Sequence, residues 1–376
     1  MSKAKSTVIV AGGGIGGLSA ALGLAGKGCR VTVLEQAEQF GEIGAGIQIG
    51  PNAFHAMDYL GVGVAGRAQA VYIDRLVMMD GLSGNMVAQI PVDEPFRQRF
   101  GNPYAVIHRA DLHGVLLDAC RAHPDIALVN RQRVIAYEHA GGGDGVRSKI
   151  REQLTGGDAL RLSGHVAYRA VLPIDQMPED LRWNAATLWA GPKCHMVHYP
   201  LQGWKSFNVV ATFQTDISNV GTNEPGTAEE ILSRFGHIVP RARNLLEKPK
   251  EWRRWVLGDR EPIENGTDGR VTLLGDAAHP THQYFAQGAC MAMEDAVCLA
   301  DKLEKNAGDF NAAFLAYQEE RIIRAYRVVL SSRMLGKLYH AEGVERKIRN
   351  AVMGAKSPDD FYNSLHWLYG STGLTN

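Results

Sequence analysis

The stretch TVIVAGGGIGGLSAALGLAGKGCRVTVLE, running from Thr7 to Glu35, decides the fold. Thr7–Ala11 is a short, β-branched and apolar run, as expected of a strand buried on both faces of a parallel sheet. GGGIGG follows, then LSAALGLAGKG with helical periodicity closing on glycine, then RVTVLE as a second strand. This is a βαβ unit of roughly thirty residues with a right-handed crossover. Gly12, Gly14 and Gly17 match G-x-G-x-x-G. The first permits a tight turn, the second lets a pyrophosphate approach the backbone, and the third lets helix pack on strand. The helix N-terminus offers unpaired N–H groups and a partial positive charge to that anion. Glu35 ends the second strand, where an acid accepts hydrogen bonds from adenosine ribose hydroxyls and disfavours a 2′-phosphate. A glycine-rich turn with no ligand is the plain alternative. The strand, helix and acid around this one favour a dinucleotide, without separating NAD from FAD.

Working outward, the 376 residues exceed the usual size of one hydrophobic core, so two closely packed domains are expected. Forty basic residues balance forty acidic ones, which gives no footprint for nucleic acid or an anionic membrane. Five scattered cysteines (Cys29, Cys120, Cys194, Cys290 and Cys298) form no CxxC pair, so a reducing cytoplasm fits best. MSKAKS runs straight into a strand with no signal-peptide character, and no apolar run approaches the roughly 18 residues of a membrane span.

Pro51 opens a helix, NAFHAMDYLG, in the early position proline favours. YIDRLVMM, NMVAQIPV and YAVIH, between Val71 and Ile107, alternate as antiparallel strands of a second domain. RADLHGVLLDACRA, Arg109–Ala122, is amphipathic and returns to the first. Leu160–Phe213 again reads as strands, and Ala289–Lys305 and Phe310–Tyr339 as long helices. The expected division is 1–70, 108–158 and 262–306 for the nucleotide domain, 71–107 and 159–261 for the substrate domain, and 307–376 for a C-terminal helical region.

Two further segments carry a resemblance. GGDGVRSKIR (Gly142–Arg151) is similar to the Asp-Gly fingerprint, and GRVTLLGDAAHP (Gly269–Pro280) to the Gly-Asp fingerprint, of flavin-dependent aromatic hydroxylases. With the glycine turn, all three stand in the order found in group A flavoprotein monooxygenases, over nearly the whole chain. The resemblance implies an α/β fold: a Rossmann-like FAD-binding domain of the para-hydroxybenzoate hydroxylase type, interrupted by a mixed-sheet substrate domain. It also implies that Asp276 bonds ribityl or ribose-side hydroxyls, that Arg109 contacts the FAD backbone, and that Gly288 and Ala289 offer N–H groups to the flavin pyrimidine edge. A helix N-terminus there suits the negative charge of reduced flavin. The bland readings are a helix cap for Asp276 and a surface ion pair for Arg109. Between Val134 and Asp144 only IAYEHAGGG intervenes. The family's two-stranded excursion there, on the order of twenty residues, is absent or omitted.

HPTHQYFAQGACMAMEDA (His279–Ala296) and HWLYG (His366–Gly370) extend the likeness to hydroxylases of monohydroxylated aromatic acids. The implied reaction takes NADH, molecular oxygen and 3-hydroxybenzoate to gentisate through a flavin C4a-hydroperoxide; salicylate and 6-hydroxynicotinate are alternative substrates. An FAD dehydrogenase and a non-catalytic FAD-fold module are the competing readings, and a homodimer is implied by the family alone. Such chemistry needs a base near neutral pKa to withdraw the phenol proton, and histidine is the usual choice. In the strand CHMVHYP, His195, Val197 and Tyr199 share one face while Met196 and His198 share the other. The resemblance places the base at His195, with Tyr199 and Gln283 in the same cavity: Gln283 on the phenol hydroxyl, Tyr199 on the carboxylate or the flavin oxygen adduct. A satisfied core histidine is the alternative for His195. His279 and His282, three apart, lack a carboxylate to complete a metal set, and no metal is expected. RIIRAYR (Arg321–Arg327) reads as a solvated or subunit-facing helix side.

Overall fold

The computed structural model describes residues 5–41, 45–138, 148–216 and 222–370. Strand Thr7–Ala11 pairs in parallel with Arg30–Leu34, which pairs in parallel with Ile126–Val129. Helix Ile15–Gly26 crosses between the first two, as the glycine pattern predicts. Its small residues have a packing reason: a Cβ on Gly23 meets the Ala296 carbonyl at 3.0 Å and the Ala300 Cβ at 3.2 Å. Helix Gly288–Lys305 therefore lies directly against it, bringing the start of the chain and the Gly-Asp segment together.

The larger sheet has eight strands among the described residues, in the order Thr222–Gly226, Trp252–Asp259, Arg161–Pro173, Ser206–Gln214, Cys194–Leu201, Ala185–Gly191, Arg75–Asp80 and Met86–Pro91. It is mixed, because Ala185–Gly191 runs parallel to Arg75–Asp80 while the other pairings are antiparallel. Alternation divides its faces. Tyr168, Trp189, Met196, Ala211 and Phe213 enter one core with the helix Ala228–Arg234 side. The opposite face carries a row set by register: Arg169 beside Val210, then Val197, Leu188, Met78 and Ala88. That row paves a cavity. YAVIH does not join this sheet. Ala105–His108 pairs instead with Gly46–Ile49 and Val71–Tyr72 in a small antiparallel sheet, after a helix at Glu94–Phe100.

Helices Pro51–Tyr59, Arg109–Ala122 and Phe310–Tyr339 form where the periodicity places them. RIIRAYR behaves differently from its expected solvated role. Arg321 is buried, its Nε donating to Asp295 Oδ1 at 2.6 Å and its Nη1 to Glu294 Oε2 at 2.7 Å. Arg324 Nε also donates to Glu294, at 2.6 Å, and His279 Nε2 lies 2.6 Å from Asp295 Oδ2. Glu294 and Asp295 fall on the inward face of helix Gly288–Lys305, and buried carboxylates require such compensation. The chain turns between helix Lys149–Thr155 and strand Arg161–Pro173, where Arg151 pairs with Asp158 at 2.8 Å and Gly156 and Gly157 take positive φ. Among the described residues no helix is long and apolar enough to cross a membrane.

Candidate FAD and aromatic-substrate site

The glycine turn is built for close approach. Gly12 has φ +105 and open space where a Cβ would be, and its N–H donates to the Leu34 carbonyl at 2.8 Å. Gly14 caps helix Ile15–Gly26 with no side-chain hydrogen bond and no acid in the first turn, so the terminal N–H groups remain available to an anion. His113, buried in helix Arg109–Ala122, lies 2.8 Å from the Gly13 carbonyl through Nε2, and so braces the turn from outside. Glu35 accepts the Gly13 N–H at 2.7 Å and the Ala37 N–H at 2.8 Å. Each carboxylate oxygen has a second acceptor direction left for a ribose hydroxyl. Glu35 lines a recess of about 290 Å³ with Gly12, Gln132 and Lys149.

A Cβ on Gly17 would stand 1.9 Å from the Gly12 carbonyl oxygen, so alanine there must open the turn. We expect Gly17→Ala to weaken FAD binding by about fivefold to a hundredfold, from an overpacking cost of about 1–3 kcal/mol. Flavin fluorescence on titration of the apoprotein measures this; an affinity within twofold of the parent would contradict it.

From the turn a single cavity of about 920 Å³ runs to the large sheet, at the upper end of the ~300–1,000 Å³ typical of small-molecule sites. Gly12, Gly14 and Gly17 line one end, followed by Arg109, Asp276, Gly288 and Ala289, and then by His195, Tyr199 and Gln283. All three candidate catalytic residues and all the cofactor candidates except Glu35, which stands in the adjoining recess, therefore border one space. Asp276 lies in a 3-10 turn after strand Val271–Thr272, exposed towards the cavity, and its Oδ1 is 3.8 Å from where a Gly288 Cβ would stand. Gly288 begins the 18-residue helix whose N-terminus opens on the cavity. A cavity bordered by an anion-binding turn and by a second helix N-terminus fits the size and charge of FAD. Asp144 and most of the Asp-Gly segment lie outside the described residues.

At the sheet end the predicted alternation holds. His195, Val197 and Tyr199 line the cavity, while His198 faces the core and accepts from Trp189 Nε1 at 3.2 Å. Burial, with a smaller contribution from His165, depresses the His195 imidazolium to about 3, so the ring is neutral. Its Nδ1 is 2.7 Å from His340 Nε2. Burial likewise pushes the Tyr199 phenol up. Gln283 donates from Nε2 to Thr212 Oγ1 at 2.9 Å and accepts from Arg169 Nη2 at 2.6 Å.

Arg169 is the residue that sequence reading missed. Its guanidinium lines the cavity and lies 5.2 Å from the Trp255 ring centroid; burial lowers it to about 10. Among the described residues no carboxylate pairs with it, and its Nε has no hydrogen-bond partner. The register could have exposed it, since Arg169 falls opposite Val210 on the face of Val197. In the sequence it reads as one more polar residue in an alternating strand. His279 is tied to Asp295, and His282 lies 3.5 Å from Asp259. Among the described residues no three His, Cys, Asp or Glu side chains are grouped to hold a metal ion.

The FAD binding domain family model matches residues 5–332. The chain is 52% identical to 3-hydroxybenzoate 6-hydroxylase of Polaromonas naphthalenivorans, over 96% of this chain and 95% of that protein. It is 47% identical to the 3-hydroxybenzoate 6-hydroxylase of Klebsiella oxytoca, over 98% of each. Among solved structures, Klebsiella pneumoniae HpxO complexed with FAD and uric acid shares the fold with a TM-score of 0.84 and 24% identity, over 98% of this chain and 96% of that one. Over nearly its whole length, then, the chain belongs to the FAD-binding family of flavin-dependent monooxygenases that includes the 3-hydroxybenzoate 6-hydroxylases.

Proposed function

We propose that this monooxygenase consumes NADH and molecular oxygen to convert 3-hydroxybenzoate to gentisate. The observation that carries the substrate class is Arg169, half-buried, with a buried Nε that has no hydrogen-bond partner and no carboxylate partner among the described residues, in the same cavity as a neutral, buried histidine. An aromatic acid supplies the missing charge, and a phenol supplies the proton. Bound FAD provides the redox chemistry, accepting reducing equivalents and delivering an oxygen atom to the ring. The chain's own residues bind, aim and move a proton.

In this reading Gly12, Gly14 and Gly17 hold the pyrophosphate and Glu35 the adenosine ribose. Arg109 and Asp276 hold the middle of the cofactor, and Gly288 and Ala289 the pyrimidine edge. Arg169 pairs with the substrate carboxylate. Gln283 fixes Arg169 through its oxygen, and its second Nε2–H donates to the phenol oxygen as His195 takes the proton. Tyr199 borders the ring. His195 accepts the phenol proton, because burial leaves its imidazole neutral. Val197, Leu188 and Met78 make the apolar floor that excludes water.

Arg169→Met is expected to raise KM for the aromatic acid about tenfold to a hundredfold, from loss of a charge-assisted bond of about 1.5–3 kcal/mol. FAD content should be unchanged. Initial-rate kinetics check this, and an unaltered KM would remove Arg169 from the site. The substrate assignment is tested by comparing 3-hydroxybenzoate, salicylate and 6-hydroxynicotinate as stimulators of NADH oxidation, with products identified. 3-Hydroxybenzoate should stimulate most and yield gentisate; a stronger response with a hydroxylated product from either alternative would replace it.

A further inference from the structure

His195 does not stand alone. Its Nδ1 is 2.7 Å from His340 Nε2, and both rings are buried. His340 comes from the other end of the chain, at the C-terminal cap of the 30-residue helix Phe310–Tyr339. Its backbone carbonyl accepts from the Lys193 N–H at 3.0 Å, which ties it to the start of the His195 strand. Two neutral imidazoles joined through one nitrogen each share a single bridging proton. Either ring can be its donor, with the same hydrogen bond in both cases.

We propose that His340 is the proton acceptor behind His195, so that the two histidines work as a relay for the substrate's phenol proton. This rests on the reading of His195 as the base. In the relay the phenol O–H bond breaks as a His195 Nε2–H bond forms. The His195 Nδ1–H bond breaks as a His340 Nε2–H bond forms. One positive charge is then held by the pair through the bridging proton, and the substrate carries the phenolate. No electrons are exchanged. When the ring oxygen regains a proton, the same path runs backwards.

Three observations favour this over a bridge that merely orients His195. Burial disfavours an imidazolium on either ring, so the charge left by the phenol proton is opposed on one ring alone and is shared across the 2.7 Å bridge. His340 stands at a helix C-terminus, where the partial negative charge of the last carbonyls stabilises a histidine cation. Its Nδ1 makes no hydrogen bond among the described residues, so nothing there locks one tautomer. Three further titratable rings pack around the dyad, those of His165, Tyr284 and Tyr339, and the Lys193–Glu342 ion pair flanks it in sequence. His165, from strand Arg161–Pro173, next but one to that of His195, is bonded to the Tyr284 hydroxyl at 2.5 Å, and its ring centroid is 4.5 Å from that of His340. Tyr284 and Tyr339 both pack against His195 with centroids at 5.5 Å. His282 lies beyond, next to Asp259, which is held by Arg333 and Arg161. No carboxylate contacts the dyad itself among the described residues.

The discriminating variant is His340→Gln, whose side-chain oxygen still accepts a hydrogen bond from His195 but cannot take the proton. With the FAD-loaded enzyme, two quantities are measured: hydroxylation rate, and the pH at which bound 3-hydroxybenzoate becomes phenolate, read by ultraviolet difference absorbance on the oxidised holoenzyme. The relay predicts a rate lowered on the order of 10²-fold, with KM within about threefold. It also predicts a phenolate transition moved up by about one pH unit or more, a tenfold change in the ionisation constant. His340→Asn serves as the second variant if the glutamine protein does not hold FAD. Parent-like rate and titration in either variant overturn the relay. His195→Ala separates the two ideas: if it too hydroxylates normally, the base assignment fails, whereas impairment of His195→Ala alone removes only His340.

Discussion

Replacing His195 with alanine is expected to lower hydroxylation by about 10²–10⁴-fold, the usual contribution of a positioned general base. The variant should still bind FAD and still oxidise NADH when substrate is present, so the loss should appear as uncoupling. This follows from where His195 stands. It lines the sheet end of the cavity, separated along it from Gly12, Gly14 and Gly17. The pH behaviour has a definite sign. Burial, with His165 a smaller cause, holds the imidazolium down to about 3, so the base form is complete above that value and lost only as pH falls through it. An anionic substrate beside the ring raises this value. The parent enzyme should therefore show no loss of base between about pH 6 and 8, the range in which an unperturbed histidine titrates. Product quantified against NADH consumed gives the result; full coupling in His195→Ala would remove it from the mechanism.

The largest stability effect is expected at Arg321. Arg321→Leu leaves Glu294 and Asp295 buried with much of their compensation gone, and should destabilise the fold by about 3–5 kcal/mol. Burial pushes both carboxyls up. For Asp295 this is outweighed by His279 and Arg321, and for Glu294 by Arg321 and Arg324, so both end below the ordinary range. Groups with lowered folded pKa contribute stability that is present above their unfolded values, about 4, and is lost as pH falls through the folded values. The gap between parent and variant should accordingly be full at neutral pH and narrow in acid. Urea unfolding at pH 7 and at about pH 4 measures it; a difference below about 1 kcal/mol at neutral pH would show that Arg324 and His279 suffice.

That cluster also marks where sequence reading stops. The glycine turn, the helix bounds near Pro51 and Arg109, and the shared face of His195 and Tyr199 follow from local chemistry and period, and local chemistry is what a sequence displays. Arg321 and Arg324 look solvated because helical spacing says nothing about which neighbour a face meets; here it meets Glu294 and Asp295. Arg169 is hidden for a related reason. Its importance comes from the register that sets it beside Val210 and Val197, together with the absence of a paired acid among the described residues. His340 lies 145 positions from His195, so only the packing of the long helix against the sheet joins them. YAVIH is legible as a strand, but not as one that pairs with Gly46–Ile49. Local structure was readable where neighbours in sequence decide it. The site's charge balance was not, because distant segments supply it.

The central claim is that this cavity transfers oxygen to a phenolic acid bound between Arg169 and His195. Its most direct test is turnover of 3-hydroxybenzoate by the FAD-loaded enzyme with NADH under ¹⁸O₂, followed by mass spectrometry of the product. The account predicts gentisate carrying one ¹⁸O atom, formed in proportion to the NADH consumed. NADH oxidation without labelled gentisate, or gentisate with oxygen drawn from water, would contradict it.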